Sequence, residues 1–322
     1  MKIYSLAFLL LFLYPLATSI TDSQQKQNKN KSNAVNIVFK STDGGQTWQD
    51  ISEGLPENWQ ENDFFANDNG LYVRAENRIY HSSPNSKAPY WQKEISPNEP
   101  GSITPGNTGI FAYNYNGQVS QKINGTNIWS PLYTNFNVRE IRTVFETAGG
   151  TVFIGCDRGL FKSTNSGKTW SQVHTGGWAM KLVESNGVLM ATSQKGIMRS
   201  TDDGENWDYV LSEGGVGIAV ERINGGFAAI TYNTESNTRR VRTSYDGGKT
   251  WQAIDAGLPA DESIASIIQV GEYFFCGHPN GIFRSSDKGK TWKLLLPSIE
   301  SKVFNLFVSG NVIYAIPRSG GC

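Results

Sequence analysis

The chain of 322 residues is long enough for two ordinary domains or one large all-β domain. Its 34 glycines and 12% aromatic content suit many short strands joined by tight turns. Lys plus Arg and Asp plus Glu both total 29, so no global field draws in nucleic acid or an acidic membrane, and neither is an expected partner.

In chain order, Lys2 precedes a nearly unbroken apolar run at 6–13, followed by Pro15 and the small residues Ala17, Thr18 and Ser19. That pattern is an export signal at 1–19, cleaved after Ser19. An uncleaved anchor is the rival, since 3–20 is only just long enough to span a bilayer. Residues 20–33, dominated by Gln, Asn, Lys and Ser, read as a flexible leader. The mature domain is then 34–322, secreted or periplasmic, without a membrane span and expected as a monomer.

Five octapeptides repeat along that domain: Ser41-Thr-Asp-Gly-Gly-Gln-Thr-Trp48, Ser163-Thr-Asn-Ser-Gly-Lys-Thr-Trp170, Ser200-Thr-Asp-Asp-Gly-Glu-Asn-Trp207, Ser244-Tyr-Asp-Gly-Gly-Lys-Thr-Trp251 and Ser285-Ser-Asp-Lys-Gly-Lys-Thr-Trp292. Two decayed copies, Ser82 to Trp91 and Ser120 to Trp129, keep serine and tryptophan but lengthen the turn by two residues. The tryptophan intervals are then 43, 38, 41, 37, 44 and 41 residues. Such a period marks a repeat architecture. Each unit parses into four strands, for instance 139–146, 151–156, 160–163 and 169–173, with two-residue alternation and glycine punctuation. Four strands per unit make a propeller blade.

Ahead of the first octapeptide only 35–40 is free to form a strand, and after the last tryptophan 302–308 and 312–316 supply two more. One blade therefore takes its inner strands from the C-terminus and its outer strands from the N-terminus, which removes exposed edges. The expected fold is all-β: a seven-bladed propeller of four-stranded antiparallel blades.

The octapeptide resembles the Asp box, or BNR repeat, of sialidases and related propellers. The acids Asp43, Asp202, Asp246 and Asp287, with Asn165 in their place once, are expected to bind backbone N–H groups of their own turns. Trp48, Trp170, Trp207, Trp251 and Trp292 are expected to wedge between blades. Sialidase-like activity would need an Arg-Ile-Pro motif before the first box, and 33–40 has none; the arginines Arg74, Arg78, Arg139, Arg142, Arg158 and Arg222 match no motif for a carboxylate-binding triad. Seven-bladed rings of this type also resemble secreted xyloglucan-degrading enzymes, which pair two rings, and single-ring photosystem II assembly factors, which act as scaffolds. The second architecture is nearer.

Topology places the short turns between strands one and two, together with the boxes, on one face. The other face carries variable loops, where function concentrates. Its candidates are Trp59, Arg78, Arg139, Asp157, Arg158, Trp178, Lys195, Asp261, Glu262 and His278. Trp59 and Trp178 fit a sugar platform, an anchor for a partner, or packing under a loop. Asp157, Asp261 and Glu262 fit a glycosidase acid pair or solvated loop carboxylates. Arg158 with Arg139 and Arg142 fits an anion patch or ordinary surface charge. His81, His174 and His278 lie in different blades, with no metal-ligand spacing, and no cofactor motif occurs. Cys276 and Cys322 are placed to lock the closing blade as a disulfide, or else remain free thiols. The expected function is non-enzymatic binding of a protein or carbohydrate; the alternative is a glycoside hydrolase.

Overall fold

A computed structural model describes residues 37–56, 63–67, 70–76, 78–83, 91–95, 101–134 and 140–319. Among them the strands form seven four-stranded antiparallel sheets, and these are the blades of a propeller. Six blades are continuous in sequence, at 64–93, 102–132, 141–174, 182–211, 214–253 and 266–297. In the seventh, Val303–Ser309 pairs with Val312–Arg318, which pairs with Phe39–Ser41, which pairs with Gln49–Asp50. The chain ends thus share the closing blade, as the sequence predicts.

The burial gradient runs outward within each blade. Second strands such as Gly70–Ala75 and Val152–Cys156 are buried at every position, because neighbouring blades cover both faces. Outer strands such as Gln49–Asp50 and Gln252–Ala253 are exposed. The core is therefore a set of wedges between blades. One holds Phe153 and Leu160 of the third blade against Leu182, Leu189 and Met198 of the fourth, with Trp207 packed on it. Another holds Phe275 and Ile282 of the sixth blade against Phe39, Phe304 and Ile313 of the closing blade, with Trp48 packed on it.

Register defines the two faces. In the third blade Val152 lies opposite both Glu146 and Ser163, while Cys156 lies opposite Ile141 and Gly159. The turn between the first two strands and the box turn therefore share one end. The turn at 157–158 and the links between blades share the other.

The second blade departs from expectation. Ile110 pairs with Lys122, as Val152 pairs with Ser163. Lys122, not Ser120, thus takes the serine's place, and the turn to Trp129 has the ordinary length. Asn124 falls where the acid belongs. Lys122 is buried and reaches Glu94 of the first blade at 2.7 Å, an ion pair that stands in for the serine's local bonds. The first blade does keep Ser82 in register, opposite Leu71.

Candidate functional site

The box face is built from local hydrogen bonds. Ser41 Oγ donates to Asp43 Oδ1 at 2.9 Å and accepts the Gly45 N–H at 2.9 Å. Asp43 Oδ1 also accepts the N–H groups of Gln46 and Thr47, and Oδ2 accepts the Thr47 hydroxyl at 2.6 Å. Asp246 and Asp287 repeat this with Thr250 and Thr291. Asp202 does so with Asn206. Asn165 Oδ1 accepts the Thr169 N–H, while its Nδ2 donates to the Thr169 hydroxyl, so an amide fills the same geometry.

The indoles complete each turn. Trp48, Trp170, Trp207 and Trp251 donate to the carbonyls of Gly45, Gly167, Gly204 and Gly248 at 3.1, 3.1, 3.0 and 3.2 Å. Trp292 instead reaches Ile254 O at 2.8 Å. These acids are occupied by their own turns.

Hydrogen bonds from Thr47 hold Asp43 down at about 2, and those from Thr291 hold Asp287 at about 2. Asp202 and Asp246 are likewise held well below the carboxylate range, by Asn206 and Thr250. A depressed folded-state pKa means stability that is present above the unfolded value of 3.8 and lost as pH falls toward 2. Asp246→Asn should keep the urea midpoint near that of the parent at pH 7 and make the acid-induced loss shallower. Asp246→Ala should lower the midpoint at pH 7. Urea titrations at pH 7 and pH 3 check both; equal losses for the two variants would remove the hydrogen-bonding role.

A second set of contacts ties blade to blade on this face. Lys162, just before its box serine, reaches Asp203 and Glu205 in the next blade's box at 3.1 and 2.7 Å. Arg199 and Arg284, at the same position, reach Gly247 O at 2.6 Å and Gly44 O at 2.9 Å. Sequence reasoning missed this device. Its signal is the run of Lys40, Lys162, Arg199 and Arg284 immediately before four of the five intact boxes.

The loop-rich face holds most of the predicted candidates. Trp59 and Arg139 lie outside the described residues, as do Cys322, the export signal and the leader. Arg78, Asp157, Arg158, Lys195 and Glu262 are exposed. Asp261 is half-buried, and its Oδ1 accepts the Ser263 N–H at 2.8 Å. His278 is buried: Nδ1 accepts the Asn280 N–H, so Nε2 carries the proton and donates to Pro259 O at 3.0 Å. Burial lowers its pKa, and it acts as a core staple between the last intact blade's loop and the preceding link. Cys276 is a free, fully buried thiol packed between the fifth and sixth blades, and burial pushes its pKa far up.

Trp178 is half-buried, with the Arg142 guanidinium over its ring at 5.7 Å. Arg142 also pairs with Glu140 at 3.0 Å. Elsewhere, first strands of the fifth, sixth and closing blades, together with Lys181 and Arg239, line a cavity of about 190 Å³. Its lining includes Lys181, Glu221, Arg239, Asn305 and Arg318, and Lys181 is ion-paired with Glu221. Arg318 lies opposite Val303 at the loop-rich end. Among the described residues, no group of three or more His, Cys, Asp or Glu is placed to hold a metal ion. Nor is any helix there long and apolar enough to cross a membrane.

Residues 39–50 match the BNR/Asp-box repeat. The match covers the closing blade's box with its flanking strands. No curated protein is detectably similar to the chain in sequence. Among solved structures, that of YCF48 bound to D1 peptide is similar at a TM-score of 0.56 and 12% identity, over 83% of this chain and 99% of that one. The GH74 xyloglucanase from Xanthomonas campestris gives 0.64 at 13% identity, over 88% of this chain and 55% of the xyloglucanase. A chain of the Mitotic Checkpoint Complex gives 0.62 at 12% identity, over 82% of this chain and 91% of that one. At such identities the shared property is the fold, and the propeller frame occurs both in a peptide-bound protein and in an enzyme.

Proposed function

We propose that this Asp-box propeller is an exported, non-enzymatic binding module that holds a protein or glycan ligand on its loop-rich face, at the channel mouth. The observation that carries this is the contrast between faces. The box acids and the short turns are consumed by bonds within and between blades. The opposite mouth presents Arg142 over Trp178, and Lys181, Arg239 and Arg318 line a separate cavity. A cation held on an aromatic face suits an acidic or polar group of a ligand, and Arg318 adds a further cation at the loop-rich end. Export rests on the pattern at 1–19.

A glycosidase needs two carboxylates about 5–10 Å apart across one bond. Asp157 sits on the third blade, whereas Asp261 and Glu262 sit on the link between the fifth and sixth, and Asp261 is engaged with Ser263. Asp157 thus comes from a different part of the ring than the other two, which supports binding over hydrolysis.

Arrays of peptides and glycans probed with the full chain test the proposal. The double variant Trp178→Ala, Arg142→Ala should weaken capture about tenfold, with thermal stability retained. Asn186→Gly, on the box face, should change nothing. Capture equally affected by both variants, or oligosaccharide turnover abolished by Asp157→Asn, would overturn it.

A further inference from the structure

We propose a second, separate site: the outer flank of the second blade binds a neutral carbohydrate. A cleft of about 420 Å³ opens there, within the size range of small-ligand sites. The twelve described residues lining it all come from 112–134, and none of these is charged. Of the whole chain 18% is charged, so a described lining without charge offers an anion or cation no counter-charge.

What the cleft offers is aromatic surface beside amides and hydroxyls. Trp129, Pro131 and Tyr133 alternate along one side of the outer strand and its extension, spanning about 13 Å. Tyr133 is 78% exposed, whereas Trp129 is half-buried and packs on the wedge of Phe65, Tyr72 and Ile103 between the first two blades, showing the cleft only part of its ring. Among the described residues, Tyr115, Ile123, Ile128 and Tyr133 of the second blade are exposed large apolar side chains, and Tyr133 lines the cleft. The other wall carries Asn114, Gln118 and Ser120. Asn114 Oδ1 accepts the N–H groups of Asn116 and Gln118, and its Nδ2 donates to Gln118 Oε1 at 2.7 Å. These amides are thus fixed before any ligand arrives, with the Gln118 amide nitrogen left to donate. A pyranose ring has an apolar C–H face and an edge of hydroxyls that both donate and accept. Flat aromatics beside fixed amides complement both parts.

Two details strengthen the choice of a sugar over an extended peptide. Strand addition needs a regular edge, and Pro131 removes an N–H from a four-residue outer strand. Trp129 also differs from the other box tryptophans. With Thr126 in place of the box glycine, its buried indole N–H has no hydrogen-bond partner among the described residues.

Native gels cast with hydroxyethylcellulose, xyloglucan, mannan, xylan or β-1,3-glucan, and one with polygalacturonate, provide the test on the full chain. At least one neutral polymer should retard migration. Tyr133→Ala and Gln118→Ala should each weaken that retardation about tenfold without shifting the melting temperature. The channel-mouth double variant should migrate like the parent, which separates this site from the one proposed above. No retardation by any neutral polymer, retardation by polygalacturonate alone, or retardation lost at the channel mouth and kept in Tyr133→Ala would each overturn the site. So would displacement of the polymer by an extended apolar peptide.

Discussion

Gly204→Ala is expected to destabilise the protein by about 3 kcal/mol, combining backbone strain with overpacking. Gly204 has φ +78°, and a Cβ there would lie 2.4 Å from Phe153 Cζ and 2.6 Å from Cε1. Phe153 is fully buried in the preceding blade and stands edge-on to Trp207, with centroids 6.3 Å apart. The ring has no room to retreat. Gly187 is the matched control: φ is +74° and nothing lies within 4 Å of its Cβ position, so Gly187→Ala should cost about 1 kcal/mol from strain alone. Urea unfolding of both variants measures the difference. Equal losses would mean that the box glycine serves only its own turn and does not set the approach of neighbouring blades.

Removal of residues 312–322 should abolish a soluble folded monomer. Val312–Arg318 is the strand that joins both chain ends, and Ile313, Tyr314, Ala315 and Ile316 within it are all buried. Each large apolar side chain buried contributes about 1.5–3 kcal/mol, so the loss is comparable with the whole stability of a domain. It also strands Phe39–Ser41 and Val303–Ser309 as open edges ready to pair with other chains. Size-exclusion chromatography should show aggregate in place of monomer. Leu294→Ala, on an outer strand at 40% exposure, should stay within about 0.5 kcal/mol of the parent. A monomeric, cooperatively unfolding truncation would show that the circle does not need its shared blade.

Architecture was legible because the box is a local device, intact five times and recurring at the period of a blade. Serine, acid, glycine and tryptophan each have a role within eight residues, and strand alternation supplies the rest. The third blade's strands, expected at 151–156 and 160–163, are observed at Val152–Cys156 and Gly159–Ser163. The second blade was misaligned for a physical reason. Its serine is replaced by Lys122, whose partner Glu94 lies in another blade, and no local pattern announces a bond across blades.

The candidate site was legible only as a face. Topology told which loops share the mouth, and Trp178 was picked out, but its pairing with Arg142 depends on how two blades meet. Lys181 and Glu221 were not singled out, since on paper they are charged residues in or beside first strands. His278 illustrates the opposite limit. A polar residue at a loop boundary looks available, yet its two ring nitrogens are both engaged below the surface.

The cations that lean from one box to the next all lean the same way. Lys162 grips the fourth blade, Arg199 the fifth and Arg284 the closing one. The fourth blade, lifted out as a cassette and moved elsewhere in the circle, would break the Lys162 grip on one side and the Arg199 grip on the other. Successful shuffling or duplication of these units should therefore require moving the gripping residue together with the turn it holds, so that the natural module is offset from the visible blade by half a unit.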